Sequence, residues 1–342
     1  MAAPSLNELL QQTSRSFYLT LRVLPRGIRP QIGLAYLLAR TTDTIADTEL
    51  VPLAQRLDAL QRLRARILGT SDAPLNFGEL ARHQGLPAER QLLERVEEAL
   101  TVLDGLAEAD LKLVRQVLDT ITSGQALDLQ RFAGATADHI IALQNDAELD
   151  DYTYRVAGCV GEFWTGMCQE HEFSDLEILG RPELTAPVFE ANGVRFGKGL
   201  QLVNILRDLP KDLRAGRCYL PADQLAAAGL RPADLLSPAN EAKFRPRYHR
   251  YLDQAEAHLA AGWNYTLTIP WPHLRVRLAC AWPILIGLET LRRLKTEPVL
   301  DPARRVKVSR ADVRNILLRS IWRYPVPSAW RKLATFSNPV RP

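Results

Sequence analysis

Apolar residues return every three or four positions through almost the whole chain, as at Leu53, Leu57, Leu60, Leu63 and Ile67, and again at Leu92, Val96, Leu100 and Leu103. That spacing marks one face of a helix, and runs that alternate every second residue are nearly absent. The chain therefore has to fold as helices packed on helices. Helix breaks are expected at Pro25-Arg-Gly, 70-TSDAPLNFG-78, 84-QGLP-87, 180-GRPELTAP-187 and 229-GLRPADLLSPAN-240, which leaves ten or more helices. None of these breaks is long and polar enough to read as an interdomain linker. Although 342 residues exceed the usual size of one core, the expectation is a single all-α domain over residues 1–342, with its core at about 10–295 and a basic C-terminal segment at 296–342.

Charge and apolar content exclude several classes. The net charge of +4 is small for this length and its cations are interleaved with acids, so no nucleic-acid partner is expected. The N-terminal residues lack a basic stretch followed by an apolar one, so no secretory signal is read there. The longest apolar run, 278-LACAWPILIGL-288, is too short to span a bilayer. Cys159, Cys168, Cys218 and Cys280 show neither CxxC nor Cys/His ligand spacing, which favours reduced thiols in the cytoplasm over a zinc or disulfide framework.

The unusual feature is a repeated pair of acids. Asp43 and Asp47 stand four apart in 40-RTTDTIAD-47, and Asp208 and Asp212 repeat the spacing in 201-QLVNILRDLPKDLRAG-216. Residues four apart share a helix face, and two like charges there destabilise the helix unless a cation neutralises them. Hard oxygen ligands favour Mg²⁺, which readily shares its shell with substrate phosphates. A solvated pair of surface acids is the plainer alternative. It is weakened because the first pair follows the apolar 32-IGLAYLLAR-40, and the second lies in a helix where Gln201, Asn204 and Asp208 form one polar stripe through an apolar pattern. Pro210 is expected to distort the helix between Asp208 and Asp212.

Four motifs in order, 14-SRSF-17, 36-YLLARTTDTIAD-47, 152-YTYRVAGCVGE-162 and 201-QLVNILRDLPKDLRAGRCYLP-221, resemble those of the squalene and phytoene synthases, which join two prenyl diphosphates head to head. The resemblance implies an all-α isoprenoid synthase fold, a helical bundle around a central cavity with the two aspartate motifs facing each other at its mouth. It implies Mg²⁺ (or Mn²⁺) held by Asp43, Asp47, Asp208 and Asp212, with Asn204 as a further ligand. Ser14, Arg15, Ser16, Tyr36, Arg40, Gln201, Arg207 and Arg217 would contact diphosphate. Tyr152 would act in proton removal or cation stabilisation, and Phe17 would face the cation through its ring, where packing is the default role for each. Val156, Ala157, Val160 and Gly161 would line the space for prenyl chains, a role compatible with close helix packing.

The same resemblance implies loss of diphosphate, a cyclopropylcarbinyl diphosphate intermediate and a second ionisation. Hydride from NADPH then gives squalene, whereas proton loss gives phytoene or dehydrosqualene and water gives hydroxysqualene. The C-terminal third favours a squalene synthase acting on farnesyl diphosphate: 278-LACAWPILIGLETLRRL-294 precedes 305-RVKVSRADV-313, in which Arg305, Lys307 and Arg310 would meet the NADPH phosphate. A solvated basic face is the alternative for those three residues. A non-catalytic assembly factor would be expected to lose the aspartates, all four of which are present, and SRSF with VAGxVG argues against a class I terpene cyclase. A monomer is expected. Because the substrate and product are apolar, it is expected to touch the inner face of a membrane through Trp322, Trp330 and 319-RSIWRYPVPSAWRK-332, unless that segment folds back on the domain.

Overall fold

The computed structural model describes residues 5–14, 17–173, 182–301 and 306–336. Among them the elements are helical throughout, apart from two parallel two-residue strands that pair Ile141 with Arg217 and Ala142 with Cys218. The chain divides into two compact units, Met1–Gln130 with Phe163–Arg181, and Arg131–Glu162 with Pro182–Pro342.

The first unit is organised by the helix Arg29–Asp47, against which Leu6–Ser14, Leu53–Leu68, Pro87–Glu94 and Val96–Asp104 pack. Pro30 opens that helix, where its missing N–H costs nothing. Ile32, Leu34, Leu37, Leu38 and Ile45 are buried, and the buried hydroxyls of Thr41, Thr44 and Thr48 donate to carbonyls one turn back at 2.9, 2.8 and 2.6 Å. The polar groups of this buried face are thereby satisfied within the helix itself. Asp110, from the helix Glu108–Arg131, accepts from Gln31 at 2.8 Å and lies 2.6 Å from Nε2 of His171, tying three segments of the unit together. The apolar run from Leu92 to Leu103 is divided into two helices at Arg95, whose side chain holds Glu98 at 2.5 Å.

In the second unit the helices Pro187–Arg214, Glu241–Thr268 and Leu274–Thr296 pack side by side. The buried Tyr248 donates to the carbonyl of Leu206 at 3.0 Å across the first two of them. Pro210 is accommodated inside its helix, which runs on to Arg214.

The expected tail contact through Trp330 is corrected. Trp330 is fully buried, stacked on Trp263 at 4.9 Å and edge-on to Trp271 and Tyr324, with the Arg277 guanidinium 4.6 Å from its ring centroid. Its indole N–H reaches the carbonyl of Ser320 at 3.1 Å, and Trp282 donates to the Ser320 hydroxyl at 2.9 Å. An aromatic ring with both its faces and its polar tip satisfied is a core residue. Trp322, by contrast, is 88% exposed. No helix among the described residues is long and apolar enough to cross a membrane.

Candidate active site

In the first unit, Tyr36, Arg40, Asp43 and Asp47 follow one another at four- and three-residue steps and form the solvent-facing stripe of a helix whose other sides are buried. Tyr36 donates to the carbonyl of Thr13 at 3.4 Å, next to Ser14 at the end of the helix Leu6–Ser14. The Ser14 hydroxyl is buried and has no hydrogen-bond partner among the described residues. Ser14, Tyr36, Arg40, Asp43 and Asp47 therefore belong to one structural unit. Arg15 and Ser16 lie outside the described residues, and Phe17 is the first residue of the helix Phe17–Val23.

Arg40 is held from two directions, by a hydrogen bond to Glu89 and by Asp43 at 3.7 Å. Asp43 also accepts from the amide of Gln125, on the helix Glu108–Arg131. Loss of hydration and the like charge of Asp47 raise the Asp43 carboxyl to about 6, against the pull of Arg40 and Gln125. Its side chain nonetheless keeps 49% of its surface open to solvent, so the carboxylate is crowded but reachable.

Gln125 and Glu89 were not singled out by sequence reasoning. Gln125 did carry a signal, since it is a buried amide between the buried Ile121 and Leu129 on a helical face, where a polar side chain needs a reason. Its Oε1 is buried without a partner among the described residues, while its Nε2 is committed to Asp43. Gln125→Leu is expected to raise the Mg²⁺ concentration giving half-maximal activity by about tenfold, with a smaller loss of kcat at saturating metal. Magnesium titration of the variant measures this, and an unchanged Mg²⁺ requirement would make Gln125 a packing residue.

In the second unit, Leu202, Val203, Ile205, Leu206, Leu209 and Leu213 are buried, while Gln201, Asn204, Arg207, Asp208 and Asp212 keep solvent access along the complementary face. Arg207 donates to both oxygens of Asp208, at 3.0 and 2.5 Å. Arg217, just beyond this helix, forms the short strand with Ile141.

The VAG motif follows as part of one helical run from Asp146 to His171, with a π-helical turn at Tyr154–Gly158. Such a wide turn inserts an extra residue into the helical ladder and frequently marks a functional site. Tyr152 is buried and stacked on Tyr219 at 4.5 Å, with Phe132 edge-on to Tyr219 at 5.1 Å. Gly161 and Ala157 are in the closest contact with the second aspartate helix: a Cβ on Gly161 would fall 1.9 Å from the Gly193 carbonyl oxygen, and one on Gly197 would fall 2.0 Å from that of Ala157. Val156 is half-buried and Val160 is 39% exposed. Sequence reasoning made no use of Tyr154, which donates to Glu162 at 3.0 Å and whose phenol burial pushes up to about 12.

Of the three residues assigned to NADPH phosphate, Arg305 lies outside the described residues. Lys307 is exposed, with its carbonyl accepting from Arg293 at 2.9 Å, and Arg310 is exposed at the start of the helix Arg310–Arg323.

Among the described residues no three His, Cys, Asp or Glu side chains converge as a metal-binding group. Each unit instead carries a pair of carboxylates beside an arginine. Mg²⁺ suits such a donor set, because it keeps several waters and completes its shell from one or two carboxylates and phosphate oxygens. The unpartnered Ser14 hydroxyl and Gln125 carbonyl oxygen in the first unit add polar atoms of the kind that hydrated metal and diphosphate satisfy.

The family model for squalene/phytoene synthase matches residues 10–312. A presqualene diphosphate synthase from Rhodopseudomonas palustris is 30% identical over 250 residues, 72% of either chain. A phytoene synthase from Arthrospira platensis is 27% identical over 293 residues, 85% of this chain and 81% of the relative. The fold is also that of a TcSQS structure in complex with the ligand BPH1237, which superposes with a TM-score of 0.75 at 21% identity, over 98% of this chain and 92% of that one.

Proposed function

The chain belongs to the squalene/phytoene synthase family and is a prenyltransferase, and we propose that it condenses two farnesyl diphosphates head to head and reduces the resulting presqualene diphosphate to squalene with NADPH. The observation that carries the reading is the pair of helices Arg29–Asp47 and Pro187–Arg214, each with an aspartate pair and an arginine on the polar side of an otherwise buried helix. Members of the family use divalent metal ions with diphosphate substrates.

Held by Asp43 and Asp47 in the first unit, and by Asp208 and Asp212 with Asn204 in the second, Mg²⁺ or Mn²⁺ would neutralise the charge that develops on a leaving diphosphate. The chain's own contribution is positioning and charge. Arg40 and Arg207 each stand beside an aspartate and offer fixed cations to diphosphate oxygens, and the Ser14 hydroxyl, with Tyr36, Gln201 and Arg217, supplies hydrogen bonds. In the first half-reaction one carbon–oxygen bond breaks with loss of diphosphate, and the allylic cation is attacked by the double bond of the second substrate. Proton loss then closes the cyclopropane, and the buried Tyr152 is the residue assigned to that proton or to the cation. In the second, diphosphate leaves again and the ring rearranges, and NADPH, when bound, would supply the hydride that the remaining cation needs. Lys307 and Arg310 are assigned to the cofactor phosphate. The reading has the protein act as a single-domain monomer in the cytoplasm, at the inner face of a membrane where farnesyl chains partition.

The identity to a presqualene diphosphate synthase favours a second reading in which catalysis stops at the cyclopropyl intermediate. Incubation of the protein with farnesyl diphosphate and Mg²⁺, with and without NADPH, followed by mass spectrometry of the products, separates the two. Squalene formed only with NADPH is the expected result. Presqualene diphosphate accumulating whether or not NADPH is present would establish the second reading, and no product from farnesyl diphosphate but phytoene when geranylgeranyl diphosphate is supplied in its place would replace both.

A further inference from the structure

Residues 306–336 hold seven Lys or Arg residues against one acid, Asp312, so this short stretch carries more positive charge than the +4 of the whole chain. Asp312 is already committed to Ser309 and to Arg293, the latter at 2.7 Å. The helix Arg310–Arg323 is fixed from below, since its buried Ser320 accepts from Trp282 at 2.9 Å and holds Trp330 through its carbonyl. On the opposite side of that helix Leu318, Ile321 and Trp322 stand at steps of three and one, 59%, 49% and 88% exposed, and Val326 just beyond is 52% exposed. Arg314 lies one turn before Leu318 on this outer face and Arg319 beside it, and both are exposed.

An exposed apolar ridge flanked by cations is poorly matched to water and well matched to the boundary between lipid headgroups and acyl chains. There, tryptophan and leucine enter the apolar side and arginine meets anionic headgroups. We infer that Leu318, Ile321, Trp322 and Val326 insert into the surface of an anionic bilayer, with Arg314 and Arg319 pairing with its headgroups. Among residues 306–336 the single acid is already paired, and that one-sided charge selects anionic lipid over a mixed-charge protein surface. The inference gives a surface to the membrane contact of the preceding reading, but it rests on exposure and charge and does not depend on the reaction catalysed.

Sedimentation with vesicles of phosphatidylcholine, alone or mixed with phosphatidylglycerol, tests it on the full chain without substrate. Binding to the mixed vesicles alone, weakened by salt, is the expected result. Trp322→Ala with Leu318→Ser, and separately Arg314→Glu with Arg319→Glu, are each expected to weaken binding at least about tenfold, with helical circular dichroism and turnover of detergent-dispersed substrate unchanged. Equal binding by wild type and both variants, or no binding by the wild type, overturns the inference. A concentration-dependent dimer that Trp322→Ala dissolves would assign the ridge to a second copy of the chain instead. Turnover in detergent reports on the prenyl reaction separately, so a failure of either reading is visible by itself.

Discussion

Asp208→Asn is expected to lower product formation from farnesyl diphosphate by about a thousandfold while leaving the helical spectrum unchanged, and Asp43→Asn should do the same. Both substitutions keep size and some hydrogen bonding. With an amide in place of the Asp208 carboxylate, the remaining oxygen still accepts from Arg207, though only one of the two bonds at 3.0 and 2.5 Å survives. What is lost is the negative charge that the proposed metal site would use. The accompanying change in stability is the more telling part of the result. Loss of hydration is the larger cause of the raised Asp43 carboxyl, and the repulsion between Asp43 and Asp47 across one helical turn adds to it. Removing one of two like charges four residues apart should leave Tm unchanged or raise it by about a degree or two, because such pairs destabilise a helix by a few tenths of a kcal/mol. Lost activity with retained or improved stability is the signature of a site that sacrifices stability for function. Wild-type turnover in either variant would remove the metal assignment, whereas loss of activity together with a marked fall in Tm would make the aspartate a structural residue.

How far the sequence reveals this site depends on whether its partners are local. The pair Asp43–Asp47 and the stripe Gln201–Asn204–Asp208–Asp212 follow from spacing alone, because every member lies three or four residues from the next along one helix, whereas Tyr36 and Arg40 entered through the family resemblance. Gln125 and Glu89, which hold Asp43 and Arg40, come from 82 and 49 residues away, and no periodicity links them to the motif. Trp330 shows the same limit from the other direction. A tryptophan among arginines near a chain end has the composition of an interfacial tail, and only the arrival of Trp263, Trp271, Arg277 and Ser320 from distant segments makes it core. Composition was right about the exposure of Trp322, earlier in the same segment, because exposure there needs no partner. The π-helical turn at Tyr154–Gly158 lies within a motif that the sequence marked for its small residues, but its wider geometry is not encoded in any single residue type.

Those small residues had two compatible readings, space for prenyl chains and close helix packing, and substitution distinguishes their weights. Gly161→Ala is expected to cost about 3 kcal/mol, a fall in Tm of about 4 °C, and Gly197→Ala a similar amount. The added methyl would sit 1.9 Å from the Gly193 carbonyl oxygen in the first case and 2.0 Å from that of Ala157 in the second. Backbone atoms cannot rotate aside as a side chain can, so the two helices must separate. One of those helices carries Gln201, Asn204, Asp208 and Asp212, so the displacement should also depress kcat, with Gly197 felt most because Gln201 is one turn away on the same helix. Gly85→Ala is the control, since nothing lies within 4 Å of a Cβ built there, and it should leave Tm within about a degree of wild type. If Gly161→Ala is no more harmful than Gly85→Ala, the helices have slack and the glycine is better explained as room for substrate. If it is destabilising and slow while product identity is unchanged, the VAG motif serves chiefly to hold the second aspartate helix in register, and chain length is selected elsewhere. A variant that stays folded but shifts from farnesyl to shorter prenyl products would show that the same close approach also bounds the substrate.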